Sequence, residues 1–151
     1  LLPGVRIHSE KATPIGAILR SDHPLAERDA LNIEDLSAFQ VLRSYDGQGA
    51  HSLLNDAMSD IQSELPLQLV TNSLPLARSL ILKNRGVGIY SKLGFLDEIE
   101  QGKLRYITIL SPVLKSLKMG LLTSSRSNPS PATHLLCRSL SKTLKALKLD
   151  S

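Results

Sequence analysis

Short apolar segments of strand length take turns with segments of helical period along most of this chain, and this alternation limits the fold more than any other feature. "PIGAILR" (14–20), "FQVLRS" (39–44), "LQLVT" (67–71), "GVGIYS" (86–91) and "KLRYITIL" (103–110) predict strands. Between them, "SDHPLAERDALN" reads as a loop. "IEDLSA" reads as a short helix, with Asn32 as N-cap and Asp35 near its third position. A longer helix follows, with Leu53, Leu54, Ala57, Met58, Ile61 and Leu65 on one face; "LPLARSLILKN" and "FLDEIEQ" supply two more. Strands separated by helices of this length predict parallel pairing through right-handed crossovers, and hence a layered α/β lobe.

Composition sets the scale. The chain has 151 residues, 42% of them hydrophobic but only 3% aromatic, so aliphatic side chains must fill the core of one domain or two small lobes. The single cysteine, Cys137, excludes an internal disulfide framework and fits a reducing compartment, so a cytoplasmic location is expected. No apolar run approaches the roughly 20 residues of a membrane-spanning helix, and "LLPGVRIHSE" lacks the basic flank and apolar body of a signal peptide.

The net charge of +4 is unevenly spread: residues 1–110 carry 11 Lys/Arg against 13 Asp/Glu, whereas residues 111–151 carry 7 against 1. In that basic tail Lys142, Lys145 and Lys148 recur at helical spacing opposite Leu140, Leu144 and Leu147. This pattern is the solvated face of an amphipathic helix. It is preferred over a DNA-binding helix because no aromatic or amide base readers stand between the lysines.

The Gly-x-Gly in "ILKNRGVGIY" follows a helix and precedes a strand, the reverse of a dinucleotide-binding turn. Gly86 is expected to be the left-handed cap that ends the helix, and Gly88 to permit close passage beneath a neighbour. The other end of that helix, "LVTNSLPLAR", brings a strand into Thr71, Asn72 and Ser73 with Pro75 in the first turn. Free amides there suit a carboxylate or sulfate, although a helix cap needs the same residues and capping without a ligand is the preferred reading of composition alone. The glycine-flanked turn Tyr45 to Ser52 is a similar strand-to-helix junction, and ligands of open α/β sheets gather at such carboxyl ends.

Catalytic readings find little to stand on. His134 and Cys137 share a helix face, but nothing orients the imidazole, and Cys137 sits in a core-like pattern with Leu136 and Leu140. His8, His23, His51 and His134 lack metal-ligand spacing, and the acidic run Asp97 to Glu100 reads as helix solvation. No catalytic residue, metal or cofactor is assigned.

The segments "AILRSDHPLAERDALNIEDLSAFQVL", "LQLVTNSLPLARSLILKNRGVGIYSKLGFLDEIEQGKLRYITIL" and "LLTSSRSNPSPATHLLCRSL" together resemble the effector-binding domain of LysR-type transcriptional regulators, from about Ile15 to Leu147. The telling pieces are "DHPLA" followed by "IEDL", the helix-to-"GVGI" junction, and "SPATHLLCRSL", similar to the family's closing helix. The resemblance implies a periplasmic-binding-protein-like α/β fold of type 2. Here that means one complete α/β lobe plus the returning strand and C-terminal helix of the other lobe. Residues 1–13 would be a remnant of lobe I leading to the hinge, 14–108 would be lobe II, and 109–151 would return to lobe I. There is no helix-turn-helix pattern, so DNA contact would come only through a region that this chain does not contain.

The resemblance also implies a site and partners. The family's lobe II contacts fall on Asn72, Ser73 and Leu74, and on the strand end at Ser91 and Lys92, where many members have an apolar residue and proline. A lysine there would favour a small carboxylate or other anion as effector, although a solvent-facing Lys92 is the preferred reading. The segment from Arg20 to His23 would be a loop beside the hinge, with His23 structural and "HPLA" a turn that positions Leu25. The expected function is ligand sensing and homo-oligomerisation, as a dimer or tetramer with possible exchange of the terminal helix, and without enzymatic activity. The alternative is a solute-binding protein or small α/β enzyme of similar architecture.

Overall fold

The computed structural model of the chain describes residues 3–44, 65–126 and 128–149. The helix expected over Leu53 to Leu65 and the turn Tyr45 to Ser52 lie outside the described residues, apart from Leu65, which is buried in the core. Two sheets form. β1 (Val5–Ala12) belongs to the smaller one, and β2 (Ile15–Arg20), β3 (Ala30–Leu31), β4 (Val41–Ser44) and β5 (Gln68–Thr71) belong to the larger. After α1 (Leu74–Leu82) come β6 (Val87–Ser91), α2 (Leu96–Glu100), β7 (Leu104–Ile109), α3 (Pro112–Lys115), β8 (Lys118–Ser124) and α4 (Pro131–Ala146). The six-stranded sheet has the order β3-β7-β2-β6-β4-β5, and β1 pairs with β8 in a two-stranded sheet.

Parallel pairing holds for β4, which lies parallel to β5 and β6, and for β3 with β7. It fails at β2, which is antiparallel to both β6 and β7. The physical reason is that crossover length constrains only strands joined by a crossover. β2 enters from the two-stranded unit at the carboxyl edge of the other strands and must run away from it. "IGAILR" suits this central place because Gly16 to Leu19 are buried, with Ala17 and Leu19 in the core on one face and Ile18 in the core on the other. The same orientation places Arg20 to His23 at the far end of β2 from Thr13. The Thr13 N–H, where β1 leads into β2, donates to Leu117 O at 2.9 Å, and six residues of β2 carry the chain about 20 Å from there before His23 is reached.

α1 ends on a left-handed residue, as expected, but that residue is Asn84 (φ 55°) and not Gly86. The Asn84 N–H donates to Ile81 O and the Arg85 N–H to Leu80 O, both at 2.9 Å, which satisfies two terminal carbonyls. Asn tolerates this backbone region, so Gly86 serves close packing instead, because a Cβ there would stand 2.8 Å from Gln40 O. Gly88 does permit the close passage expected of it, since an added Cβ would meet Ile81 Cδ1 at 2.6 Å. His23 is structural, as expected. It is buried, its Nδ1 accepts from the Leu25 N–H at 3.2 Å, and its ring lies 4.6 Å from that of Phe39.

α4 packs on β1 and β8 through Cys137, Leu144 and the Ser9–Ser141 hydroxyl contact at 3.2 Å, and Leu149 beyond it is also buried. Leu140, expected on the apolar face with Leu144, is 44% exposed, and Leu135 and Leu136 are more so. The two-stranded sheet is too small to cover the whole stripe.

Candidate functional site

Because β4, β5 and β6 run in parallel, their last residues, Ser44, Thr71 and Ser91, open on one edge of the sheet, and Ser44 pairs directly with Thr71. α1 begins at this edge. Ser73 is its N-cap: the Ser73 hydroxyl accepts from the Leu76 N–H at 3.3 Å, and the Thr71 hydroxyl accepts from the Ser73 N–H at 3.0 Å. Pro75 has no N–H to satisfy, and the Ala77 N–H donates to Ser73 O. This leaves the Leu74 N–H as the first-turn donor without a protein acceptor among the described residues.

The five residues singled out by sequence do not all converge. Asn72 is exposed and Ser73 half-buried at the helix start. The Leu74 side chain turns into the core against Gly94, where an added Cβ would meet Leu74 Cδ2 at 2.9 Å, so only its backbone faces the edge. Ser91 pairs with Ile15 at the same edge and precedes the 3-10 turn Lys92–Phe95 without capping it through its side chain. Lys92 is half-buried, with its ammonium 4.8 Å from the centroid of the Tyr106 ring, and it lines a separate depression with Ser21 and Arg105. Burial drives the Tyr106 phenol up to about 12, so that ring stays neutral beneath the lysine.

Arg78 fixes the 3-10 turn against α1. It pairs with Glu98 at 3.0 Å, donates through Nη2 to Gly94 O, and lies 5.8 Å over the Phe95 ring. Two hydroxyls that sequence reading passed over stand out near the same edge. Among the described residues the Tyr90 hydroxyl and the Thr13 Oγ1 are buried without hydrogen-bond partners, although buried polar groups are normally paired. Burial raises the Tyr90 phenol above its ordinary value, and the Ser44 side chain opposes that shift. Thr13 lies between β1 and β2, two residues before the Ile15 that pairs with Ser91. "VGIYS" reads as an apolar strand, and nothing in that pattern signals that its tyrosine hydroxyl is left unpaired.

Among the described residues this edge thus offers the Thr71, Ser73 and Ser91 hydroxyls and the Leu74 N–H. Among the described residues no three His, Cys, Asp or Glu side chains gather as a metal site would require. His134 is exposed while Cys137 is buried.

A family model described as the LysR substrate binding domain matches residues 2–145. The chain belongs to the LysR substrate-binding domain family. That assignment carries the type 2 periplasmic-binding-like α/β fold and a place in transcriptional regulation. Solved structures agree on the fold. The regulatory domain of CcmR from Synechocystis PCC6803, in complex with 2-PG, matches at TM-score 0.69 and 17% identity over 95% of this chain and 67% of that one. The effector-binding domain of QuiR, in complex with shikimate, matches at 0.67 and 16% over 95% and 66%. The regulatory domain of MetR from N. meningitidis matches at 0.65 and 16% over 100% and 72%. The chain therefore spans about two thirds of the length of these LysR-family domains. No curated protein matches it by sequence. Among the described residues no helix is long and apolar enough to cross a membrane.

Proposed function

We propose that this LysR-family domain senses a small anionic effector, most simply a carboxylate, held at the sheet edge formed by Ser73, the Leu74 N–H, Ser91 and the hydroxyls of Tyr90 and Thr13. The observation that supports this reading is that the Tyr90 and Thr13 hydroxyls are buried with no hydrogen-bond partner among the described residues, and that the Leu74 N–H at the start of α1 also lacks one there. A ligand supplying acceptors would satisfy all of them at once, and the α1 dipole favours negative charge there. Thr13 sits where β1 leads into β2, so occupancy would bear on the angle between the two-stranded unit and the six-stranded sheet. In this proposal the two-stranded unit with α4 belongs to the first lobe and residues 14–108 to the second.

The effector would control a regulator whose DNA contacts lie outside this domain, and the domain would work as a homo-oligomer. Support for self-association comes from the outer strand β5, whose Leu69 and Val70 are exposed together with Leu67 before it and Leu76 on α1.

A thermal-shift series with shikimate, 2-PG and small carboxylates tests the reading. A hit should raise Tm in proportion to the logarithm of ligand concentration once saturating, and Ser73→Ala should reduce the shift. An unaltered shift in Ser73→Ala and Tyr90→Phe alike would overturn it.

A further inference from the structure

The six-stranded sheet has a second edge, where the amino ends of β4 and β6 meet the carboxyl end of the antiparallel β2. A depression of about 440 Å³ opens there, lined by His23, Pro24, Phe39, Gln40, Asn84 and Arg85. Its walls are held by regular structure. The Arg85 N–H is tied to Leu80 O at the end of α1, and the Val87 N–H to Gln40 O at 2.8 Å. Gly86 lets those two strand entrances meet, because any Cβ would press on Gln40 O.

His23 gives this depression a chemical character. Only 6% of the residue is exposed, and with Nδ1 accepting from the Leu25 N–H the ring proton resides on Nε2. Nε2 has no hydrogen-bond partner among the described residues. Burial lowers the imidazole pKa, against a smaller opposing pull from Asp22, which favours this neutral donor form. Asp22 itself is bound by Arg20. No carboxylate lines the depression, and Arg85 makes no ion pair among the described residues. A cation, a neutral N–H donor and two side-chain amides therefore surround a wall made by the Phe39 ring and Pro24.

We propose that this depression is a second small-molecule site, distinct from the effector edge, that takes a carboxylate with a planar apolar body. The carboxylate meets the Arg85 guanidinium and the Nε2–H of His23, while the body lies on Phe39 and Pro24. The five residues of β6 separate the two sites by roughly 15 Å, so both can be filled at once.

Nuclear magnetic resonance on the full 151-residue chain tests this, with benzoate as the probe and benzamide as its uncharged counterpart. Benzoate should move the Arg85 and Gly86 amides and the His23 ring nitrogens in a saturable way, and benzamide should not. Arg85→Gln should weaken benzoate binding by about tenfold or more, as loss of a charge-assisted hydrogen bond requires, and Arg85→Lys should restore part of it. Arg85 is exposed, so neither variant threatens the fold, and the His23 shifts are read on the unaltered chain. Equal response to benzamide, an unchanged affinity in Arg85→Gln, shifts confined to Ser73 and Ser91, or no saturable shift would each overturn the proposal. Because the Ser73 and Ser91 amides are followed separately, failure here leaves the effector proposal standing.

Discussion

Replacing Tyr90 by phenylalanine should make the free chain more stable and the liganded chain weaker. The hydroxyl is buried with no hydrogen-bond partner among the described residues, and burial raises its pKa. An unsatisfied buried hydroxyl costs about 1–3 kcal/mol, and Tyr90→Phe removes it. The ring itself keeps its place, 5.5 Å from the Phe95 ring and packed over Gly88. Taking the low end, about 1 kcal/mol, a chain of this size should gain roughly 3 °C in Tm. The same oxygen is a proposed donor to the effector, so affinity should fall by about tenfold. Thermal melts with and without a saturating carboxylate read both effects on one sample. A Tm lowered by several degrees would mean that the hydroxyl already has a partner in the free chain, and the reasoning would fail. A raised Tm with unchanged affinity would remove Tyr90 from the site.

Three further outcomes follow from the packing. Gly88→Ala should destabilise by about 1–3 kcal/mol in chemical denaturation, since its methyl would overlap Ile81 and the Tyr90 ring; a neutral result would show that α1 can shift outward. Arg78→Ala should cost about 2 kcal/mol, because it frees Glu98, 18% exposed, and the Gly94 carbonyl together. His23 titrates lower folded than its ordinary 6.5, so the unfolded chain binds more protons between the two values. Its contribution is complete above about pH 6.5 and is lost as pH falls through the folded value, so melts of His23→Gln should show a smaller loss of Tm from about pH 7.5 to about pH 5 than the unaltered chain.

Elements with strong local patterns were legible in the sequence. α1 and β6 appear almost as their periodicity requires, and Asn32 caps the turn Ile33–Leu36 with Asp35 returning the bond at 2.8 Å. What local pattern does not encode is pairing. "VRIHSEKA" has no clean apolar alternation and becomes β1 only because β8 lies antiparallel to it, from Val5↔Ser124 to Ala12↔Lys118. The direction of β2 is set by where it enters the sheet, and that direction brings His23 beside Arg85, 62 residues later in the chain. Ser73 could be read as a cap because capping is local, and it is one. Lys92 could not be assigned a direction from sequence, because the Tyr106 ring that attracts it belongs to another strand. That the hydroxyls of Tyr90 and Thr13 find no partner among the described residues depends on what does not pack against them, which no residue pattern records.

The measurement that bears most directly on effector sensing is amide chemical-shift mapping of the chain titrated with the carboxylate giving the largest thermal shift. Saturable changes should centre on Thr13, Ser73, Leu74 and Ser91, with smaller ones along β1 and β8 if the hinge angle responds. Changes confined to α4 or to the His23 and Arg85 edge, with Ser73 and Ser91 unmoved at saturation, would contradict an effector site at the carboxyl ends of β5 and β6.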